Sequence, residues 1–88
     1  MLSIIIPARN EEDNLIDIIN YFKNSMENID YEIILINDFS NDNTLEKAKN
    51  LFNRLKNFNI YDNEKKGLGG AINLGIEKSN GSKIAVMM

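Results

Sequence analysis

Two periods organise the apolar and polar positions of this chain. Residues 2–6, 31–36, 58–61 and 84–88 read as short continuous apolar runs, the pattern of strands buried on both faces of a parallel sheet. Between them, apolar residues recur every three to four positions. Leu15, Ile18, Ile19, Phe22 and Met26 make one helical stripe; Leu45, Ala48, Leu51, Phe52 and Leu55 make a second. A charged, then glycine-rich loop over residues 62–70 leads into a third helix through Ala71, Leu74 and Gly75. Local punctuation fits this division. Pro7 is expected to end the first strand, because proline cannot donate to a ladder. Asn10 and Asp42 read as helix N-caps, the first followed by an acidic turn at Glu11, Glu12 and Asp13. Asn80-Gly81 reads as a helix stop, since both tolerate the left-handed conformation.

The order is therefore β-α-β-α-β-α-β. It predicts an α/β chain with a three-layer, Rossmann-like α/β/α arrangement: a parallel sheet, right-handed crossovers and helices on both faces. In the common winding, strands 1, 2 and 3 step one way and strand 4 returns to the far side of strand 1. Ligands bind outside the carboxyl ends of strands at such a switch point. The chemistry is therefore expected in the loops after strands 1, 2 and 4.

Composition narrows that chemistry. The chain has 88 residues, with 10 Lys+Arg against 13 Asp+Glu, a net charge of −3, which suits one soluble domain. With no basic cluster, it is not expected to bind nucleic acid by phosphate neutralisation. It has neither cysteine nor histidine, so thiolate chemistry, disulfides and histidine-based acid–base or metal chemistry are excluded. A metal would need oxygen ligands, as Mg²⁺ or Mn²⁺ do. The N-terminal apolar stretch is too short for a signal peptide or a membrane span, which makes an intracellular, cytoplasmic setting the default expectation. The chain stays apolar to its final residue, and this suggests a piece of something larger.

Three segments could carry function. After strand 1, Pro7-Ala8-Arg9-Asn10-Glu11-Glu12 can offer hydrogen bonds to a base and charge to a phosphate, although capping alone accounts for Asn10. After strand 2 stands Asp38, whose carboxylate could accept from the imide N–H of a uracil or the ring N–H and amino group of a guanine. An exposed turn residue explains Asp38 equally well on position alone. The third segment is Lys65-Lys66-Gly67-Leu68-Gly69-Gly70-Ala71. It has neither P-loop nor dinucleotide-fingerprint spacing, but it lets a helix N-terminus approach a ligand with Lys66 beside it.

Taken in order, these segments resemble the N-terminal part of the family 2 glycosyltransferases, which have the GT-A fold. The likeness rests on Ser3-Ile4-Ile5-Ile6-Pro7-Ala8-Arg9-Asn10-Glu11-Glu12, on Asn37-Asp38-Phe39-Ser40-Asn41-Asp42-Asn43-Thr44, and on Lys66-Gly67-Leu68-Gly69-Gly70-Ala71-Ile72-Asn73-Leu74-Gly75. The Lys-Gly-Leu-Gly form looks closest to the dolichyl- and polyprenyl-phosphate sugar transferases. The resemblance implies that Pro7, Ala8, Arg9 and Glu11 line a nucleotide pocket, that Asp38 contacts the base, and that Lys66 and Gly67 lie near the nucleotide. It implies a UDP- or GDP-linked sugar as partner and inverting transfer to a polyprenyl phosphate or glycan. It also implies an enzyme held at the inner face of a membrane. Asn37 and Phe39 stand where the family usually has an acid and a glycine. The family's metal-binding Asp-x-Asp would fall just after Met88, so Mg²⁺ or Mn²⁺ is implied with no ligand in residues 1–88. Transfer by these residues alone is then expected to be very slow. The other reading is a non-catalytic nucleotide-binding or interaction module, in which the apolar fourth strand pairs with a second copy.

Overall fold

A computed structural model describes residues 1–88 and shows four parallel strands: β1 (Leu2–Ala8), β2 (Tyr31–Asn37), β3 (Phe58–Asp62) and β4 (Lys83–Val86). They lie in the order β3-β2-β1-β4, so the winding reverses beside β1 as expected. Three helices complete the chain: α1 (Leu15–Ser25), preceded by a 3-10 turn at Glu12–Asn14, α2 (Thr44–Phe52) and α3 (Leu68–Lys78). This is the α/β architecture predicted from the alternation.

Side chains alternate across the sheet and divide the core in two. Ile4, Ile6, Ala8, Ile33, Leu35 and Phe58 face α1 and α2, where they bury Leu15, Ile19, Phe22, Ala48 and Phe52 in a cluster of 12 residues. Ile5, Ile34 and Ile36 face α3, where the cluster holds 4 buried residues with Ala71. Two helices cover one face and a single helix the other. In the first helical stripe Leu15, Ile19 and Phe22 are buried, while Ile18 and Met26 pack at its margin.

Several boundaries move, each for a physical reason. Pro7 does not end β1. It pairs with Ile36 and sits one step before Ala8. The Ile5 carbonyl accepts the Met87 N–H on the β4 side, so Pro7, two residues on, turns its missing donor to that same side, beyond the last β4 pairing at Ile5↔Val86. The ladder therefore loses nothing. Asn10 is not a helix cap: its φ is +56°, and α1 begins at Leu15. Asp42 lies one residue outside the N-cap position of α2, which Asn43 occupies. Its Oδ1 still accepts from the Thr44 N–H (3.0 Å) and from the Thr44 hydroxyl, so it closes a side-chain turn at the helix start. Thr44 is buried there while Leu45 is half-exposed, and α2 stops at Phe52, which leaves Leu55 packed from the following turn.

The glycine-rich segment belongs mostly to α3, which starts at Leu68 and contains Gly69 and Gly70 in its first turn. At the other end, Ser79 is extended and its hydroxyl donates to the Ile76 carbonyl (2.7 Å), so Asn80-Gly81 does not form a left-handed stop. These two residues instead pack against the amino end of the sheet. The Asn80 N–H donates to Glu32 Oε2 (2.6 Å) and the Gly81 N–H to Ser3 Oγ (2.8 Å). A Cβ on Gly81 would lie 2.6 Å from both the Met1 carbonyl oxygen and Ser3 Oγ, so only glycine fits.

Candidate functional site

The carboxyl ends of β1, β2 and β3 carry three loops that are tied to one another by side chains. The Asn10 N–H donates to Ser40 Oγ (2.9 Å), and Asn10 Oδ1 accepts from the Asn41 N–H (2.7 Å). The Glu11 N–H donates to Thr44 Oγ1 (3.0 Å), and Glu12 Oε1 accepts from the Asn43 N–H (3.2 Å). These bonds explain why the Asn-Glu-Glu and Ser-x-Asp-x-Thr segments occur together: each supplies the missing partners of the other's turn. Two non-glycine residues with left-handed backbone lie in this region, Asn10 and Phe39, with φ of +56° and +58°. Asparagine tolerates that conformation, whereas Phe39 is strained by it. A glycine at 39 would relieve that strain, consistent with the family's usual residue.

Asp38 stands one step past the end of β2, its N–H held by the Ala8 carbonyl (2.8 Å). Its Oδ1 accepts from Asn63 Nδ2 (3.0 Å) and from the Gly67 N–H (3.0 Å). These two hydrogen bonds hold the carboxyl below the usual carboxylate range; partial burial opposes them, and the charges of Arg9 and Lys66 reinforce them. Gly67 occupies the N-cap position of α3 with φ of +117°, a backbone that a side chain would strain. Arg9 and Lys66 are exposed and free of ion pairs, since the one ion pair joins the N-terminal ammonium to Asp30.

Of the residues named from the sequence, the fold thus brings Asp38 and Gly67 into direct contact, with the charges of Arg9 and Lys66 around them. Pro7 and Glu11 face elsewhere. They line a cleft of about 390 Å³ between the end of β1, α1 and Met87–Met88, with Tyr21 and Ile18 among its walls. Glu11 also accepts from Asn14 Nδ2 (2.9 Å). Ala8 is buried in the larger core cluster, so only its backbone reaches the site.

Sequence reasoning missed Asn63. It follows β3 as Asp38 follows β2, and the pairing Asn37↔Asp62 puts the two residues side by side. A polar residue one step beyond a strand end, before a glycine-rich loop, was the available signal. The register also explains Asn37. Its Nδ2 donates to Asp62 Oδ1 (2.9 Å), so an acid at 37 would set two carboxylates against each other. Asn37 Oδ1 is buried without a partner. No group of three or more histidine, cysteine or acidic side chains that could hold a metal ion comes together.

The doubly wound sheet with its polar cluster at the carboxyl ends, next to the switch point, defines an α/β domain whose loops lie where such folds bind ligands. The chain belongs to glycosyl transferase family 2, whose family description fits residues 3–87. It is 34% identical over 86 residues to the dolichol-phosphate mannosyltransferase of Pyrococcus furiosus, covering 98% of this chain and 24% of that protein. It is 37% identical over 83 residues to a Methanococcus voltae dolichyl N-acetyl-alpha-D-glucosaminyl phosphate 3-beta-D-2,3-diacetamido-2,3-dideoxy-beta-D-glucuronosyltransferase, covering 91% and 26%. It therefore spans about a quarter of the length of these relatives. The crystal structure of S. aureus TarS 1-349 with UDP-GlcNAc superposes with a TM-score of 0.77 at 20% identity, over 97% of this chain and 25% of TarS. The UDP complex gives 0.77 at 22% identity, over 98% and 26%. These likenesses establish the GT-A-type fold, and the family match establishes membership of glycosyl transferase family 2.

Proposed function

We propose that this chain forms the nucleotide-binding part of an inverting glycosyltransferase that uses a UDP- or GDP-linked sugar and delivers it to a polyprenyl phosphate or glycan. The observation that carries this reading is the Asp38 carboxylate, fixed through one oxygen by Asn63 and Gly67, with Arg9 and Lys66 beside it. Asp38 would accept from the base, while the two cations would face the diphosphate. The polyprenyl-phosphate acceptor draws support from the dolichyl-type names of two relatives. Such an acceptor puts the enzyme at the cytoplasmic face of a membrane; no helix of this chain is long and apolar enough to cross one. Mg²⁺ or Mn²⁺ would offset diphosphate charge as the leaving group departs, and its ligands would come from outside these 88 residues. Alone, the chain would bind nucleotide and transfer sugar very slowly.

A thermal-shift titration tests this. Millimolar UDP or GDP raises the melting temperature of the wild-type chain, and Asp38→Ala removes the rise. A flat titration of the wild type rejects nucleotide binding.

One observation favours a second reading, that of an interaction module. All four residues of β4 are exposed, its outer edge is unpaired, and Ile84, Val86, Met87 and Met88 stand open beside it. Pairing of β4 with a second copy would give a dimer on sedimentation, with no response to nucleotide.

A further inference from the structure

On the nucleotide-binding reading above, we propose that Asn63 is a specificity-determining residue: it helps leave Asp38 one free carboxylate oxygen, and the site therefore selects a uracil-type base over guanine. Asn63 is 5% exposed, and its amide is held on every side. Nδ2 faces Asp38 Oδ1 (3.0 Å), the Lys65 carbonyl (2.6 Å) and the Gly67 carbonyl (3.4 Å), while Oδ1 faces the Lys65 N–H (3.4 Å). Only this orientation works. Turned over, the amide oxygen would confront a carboxylate and two carbonyls. The donor is therefore locked onto Asp38 Oδ1.

The Gly67 N–H donates to the same oxygen at 3.0 Å. A carboxylate oxygen has two lone-pair directions, so these two bonds fill Oδ1. Both hydrogen bonds from the chain end on Oδ1 and none on Oδ2, and Asp38 is half-buried rather than enclosed. A base therefore meets a single acceptor. The imide of uracil presents one N–H between two carbonyls and needs one acceptor. Guanine presents two parallel donors, its ring N–H and its amino group, and fits a carboxylate best when both oxygens are free. Cytosine presents a ring lone pair at the corresponding position and is repelled. Arg9 and Lys66 see the same diphosphate in all three nucleotides, so the difference lies with the base.

Isothermal titration calorimetry with UDP, GDP and CDP on the unaltered 88-residue chain is the test. UDP is expected to bind about tenfold tighter than GDP, the worth of one well-made hydrogen bond, with CDP weakest. In Asn63→Ala one lone pair of Oδ1 is released, and the UDP:GDP ratio narrows to about threefold or less. GDP binding as tightly as UDP to the wild type overturns the base preference while leaving nucleotide binding intact. A folded Asn63→Ala chain with the wild-type ratio overturns the role of Asn63. Absence of heat with all three nucleotides rejects the nucleotide reading itself, and the preference with it. The wild-type ratio is decisive even where the variant does not fold.

Discussion

The two ends of the sheet each hold a carboxylate with a lowered pKa, and they hold it in opposite ways. At the amino end, Glu32 is 5% exposed and accepts from Ser3 Oγ (2.6 Å), the Asn80 N–H (2.6 Å) and Asn80 Nδ2 (3.3 Å). Burial alone would raise its pKa, but the hydrogen bonds from Ser3 and Asn80 outweigh it. Each Glu32 oxygen has a partner within the chain, and no residue there has a positive φ. At the carboxyl end, Asp38 is half-buried and keeps one oxygen free. Nearby lie the strained Phe39 and the unpartnered Asn37 Oδ1. A closed polar cluster joins elements distant in sequence, while an open one leaves acceptors for something else.

The comparison breaks most sharply at Glu32. Glu32→Ala leaves the buried Ser3 hydroxyl without its acceptor and strips the exposed Asn80 of the contact that ties it to the sheet, at a cost of about 3 kcal/mol. For a domain of this size that is roughly 15 °C in melting temperature, read by circular dichroism. A loss of only a few degrees would mean that the amino end is not the stabilising pole.

Acid probes the amino end next. Because the native pKa of Glu32 lies below its ordinary value of 4.5, the unfolded chain binds the proton first. Its contribution to stability is complete above about pH 5 and is lost as pH falls through the depressed native value. Glu32→Gln should be less stable than wild type at neutral pH, with the two stability curves converging below pH 4.5. Parallel curves would contradict the assignment.

Asp38→Ala should matter less to the fold, about 1 kcal/mol, because Asn63 keeps the Lys65 carbonyl and water reaches the half-exposed Gly67 N–H. Its effect belongs to ligand binding, so a melting loss as large as that of Glu32→Ala would erase the contrast. The smallest change is a gain. Phe39→Gly relieves a left-handed backbone and should raise stability by at most about 1 kcal/mol, since added freedom in the unfolded chain offsets part of the relief. A lower melting temperature would show that the exposed Phe39 ring contributes packing.

How much of this was legible in the sequence follows from the range of the forces involved. The strand runs and helical stripes are local, and they predicted the element order, the switch beside β1 and helices on both faces. Asp38 stood out because it directly follows a buried strand and no capping role accounts for it, although an exposed turn residue explained it equally well. Asn63 and Glu32 did not, because their roles arise from partners 25 to 48 residues away. Glu32 was also concealed inside an apolar run. Pro7 misled because strand interiors normally exclude proline, and only the pairing on each side of β1 shows that its missing donor costs nothing. Asn10, Asn80 and Gly81 misled similarly: their residue types suit caps and stops, but tertiary partners claimed them first.

The lacing of Asn10, Glu11 and Glu12 to Ser40, Asn41, Asn43 and Thr44 has a consequence for protein engineering. The two loops are complementary halves of one unit. A chimera that exchanges residues 8–14 with a relative while keeping residues 38–44 would strand donors and acceptors on both sides of the graft. Exchanged together, the two segments should transplant as a cassette.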